Sequence, residues 1–392
     1  MSMDFLEAVE QQLVAATERG VRRRRWRWPW LMQLRVPLRA PSLGIATGIG
    51  AALAASAIAA TVAIPTSKPR AHAASPYATV RSYTTAGAVP AGFEPQSFTA
   101  ISEVTWWLLG TAPCDGHTCT TLVRTTDGGP LFSRLPAPPT GAVSQVSQVR
   151  FADRADGYVF GPQLWSTHDD GRSWIQQRLG TSVTDLAIAG GYAYAVVFSR
   201  GRATLMRSPV GADAWTTLHG AGRGQLSGLW VQGTTVVVQS GSRLLVSLDS
   251  GASFARKRGV RHAGNCSYDG GLQALWALCS TGMAPDQILL SGDLGNSFRT
   301  AAQVPNGPLG TFAAAGGSTA VASSQGPLYR TINAGASWAA VNAPSANWVY
   351  LGFTDASHGV AIGQFGNGNN HAYQLYYTTD AGASYHLVPI GP

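Results

Sequence analysis

The sequence predicts an all-β fold: a seven-bladed β-propeller of four-stranded blades, preceded by a single transmembrane helix. Two observations support this prediction, a short turn motif that recurs along the chain and one uncharged apolar stretch near the N-terminus. The composition agrees, because the 392 residues include 46 Gly and 22 Pro while only 12% are charged. Many turns with little charge are typical of a folded all-β protein rather than a disordered chain.

The predicted membrane span covers residues 43–64, which read LGIATGIGAALAASAIAATVAI without a charge. At ~1.5 Å per residue this helix would reach roughly 33 Å, enough to cross a bilayer core of about 30 Å. The segment just before it, VRRRRWRWPW, combines the Arg residues of a cytoplasmic flank with the Trp residues of a membrane interface. We therefore expect a single-pass plasma-membrane protein with a cytoplasmic N-terminus and the C-terminal domain outside.

A cleaved signal peptide is the alternative, since Ala71-His72-Ala73 matches a cleavage site. The long preceding segment and the charges Lys68 and Arg70 favour a retained anchor. The predicted organisation is a cytoplasmic segment with a short amphipathic helix and an Arg/Trp-rich end (1–42), the span (43–64), a linker (65–95) and the propeller (96–392). Cleavage after Ala73 stays open.

The turn motif reads Ser/Thr-x-Asp-x-Gly-x-Ser/Thr-aromatic, the pattern of Asp-box repeats. Four copies are complete, THDDGRSW, SLDSGASF, SGDLGNSF and TTDAGASY, and begin at Thr167, Ser247, Ser291 and Thr378. Three are degenerate: TINAGASW carries Asn333 for the Asp, TTDGGPLF carries Leu131 for the hydroxyl residue, and SPVGADAW keeps only its ends. A period of about 40 residues with strand-like contents indicates propeller blades.

The chemistry of the motif predicts a structural role. Its carboxylate can accept hydrogen bonds from the N–H groups of a tight turn, its Gly can adopt a positive φ, and its aromatic ring can pack inside the blade. The residues assigned to this role are Asp127, Asp169, Asp249, Asp293, Asn333 and Asp380, with the aromatic residues Phe132, Trp174, Trp215, Phe254, Phe298, Trp338 and Tyr385.

A second pattern, Phe-x-Asp-x-x-x-Gly-x-x-x-Gly, occurs at residues 151–161 and 353–363, each time upstream of a turn motif. With this pattern, residues 98–390 resemble the photosystem II stability/assembly factor family, a branch of the Asp-box (BNR-type) repeat propellers. The resemblance implies a seven-bladed propeller that works as an assembly chaperone. The third blade departs from the family pattern, and the second pattern is clear in only two blades.

The four Cys residues all follow the predicted span, where an even number in an exported domain favours two disulfides. The expected pairs are Cys114 with Cys119, and Cys266 with Cys279 on neighbouring strands of the fifth blade. A metal site of Cys114, His117 and Cys119 is the alternative, but three ligands without a clear fourth make a poor zinc site. We predict neither a metal nor a cofactor.

An enzyme is not expected. A sialidase-like glycoside hydrolase is the alternative, and it would need a Tyr nucleophile, acidic groups and an Arg cluster on one face. Beyond the predicted span only Glu94 and Glu103 are glutamates, and most aspartates belong to the two turn patterns.

The candidate binding residues are basic: Arg223, Arg256, Lys257, Arg258 and Arg261. They should lie on the outer strand of the fourth blade and on the connections beside it. There an acidic protein segment or an anionic polymer could dock, although a solvated charge run gives the same pattern. The strong basic signal of the chain is local to its N-terminus, so nucleic acid is not an expected partner. The sequence thus predicts a non-catalytic protein-binding or assembly module, or alternatively a sensor coupled to the cytoplasmic helix.

Overall fold

The computed structural model describes residues 80–82, 87–260, 266–280, 286–367 and 370–391, all within one compact unit, Pro69–Pro392. The predicted cytoplasmic segment, the predicted span and most of the predicted linker lie outside these residues. In the part of the chain that the structure describes, no helix combines the length and the apolar character that crossing a bilayer requires.

Seven four-stranded antiparallel sheets follow one another along the chain, which confirms the predicted seven-bladed propeller of four-stranded blades. We number the blades in chain order. Blade 1 holds β2 (Glu94–Ala100), β3 (Trp106–Cys114), β4 (His117–Thr125) and β5 (Ser133–Leu135), after a short strand β1 (Val80–Ser82); blade 2 holds β6 (Gln148–Phe151), β7 (Gly157–Phe160), β8 (Leu164–Thr167) and β9 (Ser173–Gln177); blade 3 holds β10 (Ser182–Ala189), β11 (Tyr192–Ser199), β12 (Arg202–Pro209) and β13 (Thr216–Thr217).

The remaining blades repeat this plan. Blade 4 holds β14 (Leu226–Gln232), β15 (Thr235–Ser240), β16 (Arg243–Ser247) and β17 (Ala255–Lys257); blade 5 holds β18 (Cys266–Gly271), β19 (Ala274–Cys279), β20 (Gln287–Ser291) and β21 (Arg299–Thr300); blade 6 holds β22 (Leu309–Ala314), β23 (Ala320–Ser324), β24 (Leu328–Thr331) and β25 (Ala339–Ala340); blade 7 holds β26 (Asn347–Phe353), β27 (Gly359–Asn367), β28 (Asn370–Thr378) and β29 (His386–Val388). Two short 3-10 helices, Val143–Gln145 and His219–Ala221, lie between blades.

The described part of the linker is attached to the propeller. β1 pairs antiparallel with β9 and adds a fifth strand to the outer edge of blade 2. Gly87 then forms a bridge with Arg134 beside blade 1, and Val89 and Phe93 are buried in the core. The described residues ahead of the first blade therefore contact the outer strands of blades 2 and 1.

The core consists of seven apolar clusters, one at each interface between neighbouring blades. The second strand of a blade lies between two partners, so its residues are buried on both faces; β7 and β23 are buried throughout. Such strands read as short continuous apolar runs flanked by turn residues, which is the pattern found in the sequence.

No blade is completed by a strand from the other end of the propeller, because the four strands of each blade are consecutive in the chain and β1 only adds a fifth strand to blade 2. Blades 7 and 1 are instead joined by packing. The rings of Trp106 and Tyr377 lie 5.1 Å apart, and the Tyr350 hydroxyl donates to the Phe98 carbonyl at 3.1 Å. Closure therefore depends on side chains from the two ends of the propeller.

Polar side chains also join neighbouring blades near the central axis. Ser97 accepts a hydrogen bond from the Val149 amide at 3.2 Å. Asp185 accepts one from the Leu229 amide at 2.9 Å, and Asp269 accepts one from the Ala314 amide at 2.8 Å. These bonds link blade 1 to 2, 3 to 4 and 5 to 6.

A second set of inter-blade bonds uses arginines just before the turn motif. Arg124 pairs with Asp170 in the next blade. In the same position, Arg207 donates to a carbonyl of blade 4 and Arg330 to a carbonyl of blade 7 at 2.8 Å. These residues are engaged within the fold and are not available to a ligand.

The turn motif lies between the third and fourth strands of every blade. In the six recognisable copies, the first hydroxyl oxygen accepts the amide of the motif Gly at 2.7–3.2 Å. The Asp or Asn side-chain oxygen accepts the amide four residues later at 2.8–3.2 Å. In each copy both the Gly and the residue before it have positive φ, for example Gly251 at 87° and Ser250 at 56°.

These hydrogen bonds favour the charged form of the carboxyl groups. Bonds from the Ser253 side chain and backbone lower the pKa of Asp249 to about 2. Because this pKa is below that of the unfolded chain, the contribution of Asp249 to stability is complete above about pH 4 and is lost as the pH falls through 2.

The closing aromatic residues of the motif differ in burial. Trp174 and Tyr385 are buried, whereas Phe132, Trp215, Phe254, Phe298 and Trp338 are half-buried. All seven rings are expected to pack inside their blades, and those of Trp174 and Tyr385 are buried there.

We expect Asp169→Ala to lower the free energy of unfolding by about 1–3 kcal/mol, because the Ser173 amide and hydroxyl lose their acceptor. Asp169→Asn should cost less. Asn333 in blade 6 already makes both contacts with Ser337, accepting its amide at 3.0 Å and donating to its hydroxyl at 2.8 Å. Urea unfolding of the two variants measures the difference, and equal losses would contradict the assignment.

Both predicted disulfides are present, Cys114–Cys119 and Cys266–Cys279. The first closes the β3–β4 turn, and the second joins directly opposed residues of β18 and β19. Cys114, His117 and Cys119 are close enough together to suggest a metal site, but the disulfide leaves no thiolate to bind a metal.

Candidate binding surface

Three of the five candidate basic residues lie together on the outer edge of blade 4. Arg256 and Lys257 belong to β17, where they pair with Leu245 and Leu244 of β16, and Arg258 follows directly. The two arginines are exposed and Lys257 is half-buried. The outermost strand has a partner on one side only, which leaves these side chains facing solvent.

A fourth cation, Arg243, joins them from the start of β16, and the sequence reasoning missed it. The β15–β16 turn brings Ser242 and Arg243 beside the end of β17. Ser242, Arg243, Arg256, Lys257 and Arg258 line an open depression of about 490 Å³, which we call the basic depression. To find Arg243 from the sequence alone, one would need the strand register of the β15–β16 hairpin and the alternation of side chains along it.

The two other candidates lie elsewhere. Arg223 is exposed in the connection that precedes β14, outside the lining of the basic depression. Gly224 next to it forms a bridge with Ala203 in blade 3. Arg261 lies outside the described residues.

The four cations of the basic depression form no ion pair with a carboxylate of the described residues. Within the described ranges, no carboxylate lies within 4.0 Å of Arg243, Arg256, Lys257 or Arg258. By contrast, Arg124 pairs with a carboxylate and Arg330 bonds a backbone carbonyl of the next blade. Four cations around one depression, three of them exposed and one half-buried, can hold an anionic group by charge complementarity.

The carboxylates in the central region serve the fold instead. Burial raises the pKa of Asp185 and of Asp269, and the amides of Leu229 and Ala314, which they bind, oppose that effect. Both are half-buried acceptors within the ring of inner strands.

One mixed cluster, Glu103, Asp355 and His358, lies at the junction of blades 1 and 7. His358 Nδ1 is 2.7 Å from Asp355 and 3.9 Å from Glu103. Asp355 also accepts the amides of Ser357 and His358 within its own turn, and both carboxylates are exposed. The cluster caps a turn, and we assign no metal to it.

The comparisons with known proteins concern the fold. No protein-family model and no curated protein matches the chain. Among solved structures, the chain is similar to YCF48 bound to a D1 peptide, with 15% identity over 79% of this chain and 96% of that one, and a TM-score of 0.52. It is also similar to the β-propeller domain of the Trilobed protease from Pyrococcus furiosus, described as having an open velcro topology, with 9% identity over 76% and 98% of the chains and a TM-score of 0.56.

A third similar structure is AFV00434, an ancestral GH74 enzyme, with 13% identity over 79% of this chain and 47% of that one, and a TM-score of 0.50. At these identities the likeness shows a shared fold alone. The comparisons and the strand order together establish that this chain forms a seven-bladed β-propeller.

Proposed function

We propose that this chain is a non-catalytic protein-binding module whose basic depression takes an acidic segment of a partner protein. The observation that carries the proposal is the set of four cations, Arg243, Arg256, Lys257 and Arg258, around one open depression, with no carboxylate of the described chain within 4.0 Å of them. An extended acidic peptide presents several carboxylates at the spacing of a strand, which suits a row of cations along an outer edge.

The peptide-bound YCF48 structure supports this proposal as a precedent for a propeller of this fold that holds a peptide. In the same proposal, the chain is an Asp-box repeat propeller, which the repeated hydrogen bonds of the turn motif support. It is anchored by residues 43–64 in the plasma membrane, with the propeller outside. The apolar stretch and its Arg/Trp flank support the anchor, and the two disulfides support an oxidising compartment.

The hydrogen bonds that the carboxylates accept within the fold support the non-catalytic role. Asp169, Asp249 and Asp355 hold turn amides, and Asp185 and Asp269 hold amides of the next blade. Most glycoside hydrolases need a pair of carboxyl groups at the scissile bond, and a sialidase needs acidic groups beside its Tyr nucleophile. These carboxylates are instead committed as acceptors in the fold.

We expect a fluorescent oligoglutamate peptide to bind the wild-type chain and to bind the quadruple variant R243Q/R256Q/K257Q/R258Q at least about fourfold more weakly, since four charge pairs at about 0.2–1 kcal/mol each are lost. Binding should weaken as salt rises, because exposed charges are screened beyond about 8–10 Å. Fluorescence anisotropy at two salt concentrations measures both effects.

The matched control removes the same charge from blades 2 and 3, as R172Q/R178Q/R200Q/R202Q, all four of which are exposed. It should keep most of the binding. Equal loss of peptide binding in both variants would mean that the net charge of the chain, and not the basic depression, attracts the peptide. A wild-type chain that captures a polyuronate but not oligoglutamate would contradict a protein ligand.

A further inference from the structure

The turn of blade 3 departs from the motif in an informative way. Val210 stands where the other copies have Asp or Asn. The turn is capped without it, because the Ser208 hydroxyl accepts the Ala214 amide at 2.8 Å. The carboxylate appears three residues later as Asp213, which has a φ of 48°. Asp is among the few side chains that adopt this left-handed conformation at modest cost.

Asp213 serves blade 2 rather than its own turn. Its Oδ2 accepts hydrogen bonds from the Ser166 hydroxyl at 2.6 Å and from the Gln177 side-chain amide at 2.7 Å. The same oxygen lies 3.0 Å from Nε2 of His168. The displaced carboxylate therefore connects blade 3 to β8, β9 and the turn between them.

His168 is held from both sides. Its Nδ1 lies 2.6 Å from Asp156, in the turn between β6 and β7, while its Nε2 faces Asp213. Ionised carboxylates only accept hydrogen bonds, and a neutral imidazole can donate from one nitrogen only. Both contacts can be made at once only by a protonated ring. About a fifth of the His168 side chain is exposed (22%), so solvent screens the two pairs only in part.

We propose that protonated His168 is a clamp between blades 2 and 3, and that this junction loosens when the ring loses its proton. The clamp consists of His168, Asp156 and Asp213, with Ser166 and Gln177 holding Asp213 in place. A neutral ring would leave one of the two carboxylates without its hydrogen bond, and the two like charges would face each other across the junction.

The direction of the pH dependence follows from the same contacts. Burial lowers the pKa of His168, but the hydrogen bonds that its ring donates to Asp213 and Asp156 outweigh this effect and raise the pKa to about 9. The unfolded chain should titrate near 6.5. A raised pKa means that the contribution to stability is complete below about pH 6.5 and is lost as the pH rises through 9.

Other ionisable groups lie around the clamp. Burial, followed by the charges of Asp213 and Asp156, raises the pKa of Tyr158, which stays neutral. Asp153 lies in the same turn as Asp156 and adds to that effect. On the turn of His168 itself, Asp169 binds Ser173, and Asp170 pairs with Arg124 and lies 3.6 Å from Arg154.

The test is an NMR titration of the full chain with ¹³C-labelled His, together with thermal unfolding from pH 6 to 10. The His168 resonance, assigned by its loss in His168→Gln, should titrate near pH 9. In Asp213→Asn its midpoint should fall by about one pH unit or more, since one of the two charge partners is gone. The unfolding temperature of the wild type should exceed that of His168→Gln at pH 6, and the two should converge by pH 10.

His219→Gln is the matched control, because His219 is exposed on the short helix after β13. It should follow the wild-type profile at every pH. A wild-type spectrum in which no His resonance titrates near pH 9 would overturn the clamp, and this result needs no variant to fold. So would a constant difference in unfolding temperature between wild type and His168→Gln across the pH range.

Discussion

Trp174→Ala should lower the free energy of unfolding by about 3–5 kcal/mol, one of the two largest losses that we expect from changes in this chain. The Trp174 side chain is fully buried and packs in the cluster between blades 1 and 2 with Trp107, Leu122 and Val159. Its indole N–H donates to the Pro136 carbonyl at 2.9 Å. Alanine would leave a cavity in a close-packed core and an unpaired carbonyl, and both effects reduce stability.

Trp338→Ala is the matched control within the same chain. Trp338 closes the motif of blade 6 and donates to the Ala302 carbonyl, also at 2.9 Å, but its ring is half-buried. The same bond is lost while less apolar surface becomes exposed, so the loss should be clearly smaller. Urea unfolding followed by tryptophan fluorescence and circular dichroism measures both. Equal losses would show that the hydrogen bond, and not burial, makes Trp174 important.

Cys266→Ala/Cys279→Ala should lower the free energy of unfolding by about 3 kcal/mol, because the crosslink restricts the unfolded chain across a sequence separation of 13 residues. Both cysteines are buried, in the cluster between blades 4 and 5. The Cys266 amide also donates to the Gln239 side chain at 2.9 Å, which ties this strand end to blade 4. Loss of the crosslink should therefore loosen the end of the β18–β19 pair.

The other disulfide provides the comparison. Cys114 and Cys119 are five positions apart in the sequence and are only half-buried, so Cys114→Ala/Cys119→Ala should cost less, about 2 kcal/mol. Chemical unfolding with and without a reductant measures both, and the reductant should lower wild-type stability while leaving the variant lacking all four cysteines unchanged. If removal of Cys114–Cys119 lowered stability more than removal of Cys266–Cys279, the explanation by the entropy of the unfolded chain would be wrong.

The sequence by itself determined the blade count, the position of each hairpin between third and fourth strands, and both disulfide pairs. The physical reason is that these features are local. An octapeptide such as Ser247–Phe254 contains the hydroxyl, the carboxylate, the Gly and the amides that it needs, so its turn forms from its own residues. Cys266 and Cys279 likewise oppose each other within one hairpin.

Only the tertiary structure decided which blade residues meet across an interface. His168 and Asp213 are 45 positions apart, and nothing in either turn specifies the other. Arg243 joins Arg256 through strand register, and Trp174 is buried while Trp338 is half-exposed although both close the same motif. A period of about 40 residues predicts that blades stack, but the side chains that pack between blades depend on the twist and spacing of both sheets, which no single repeat contains.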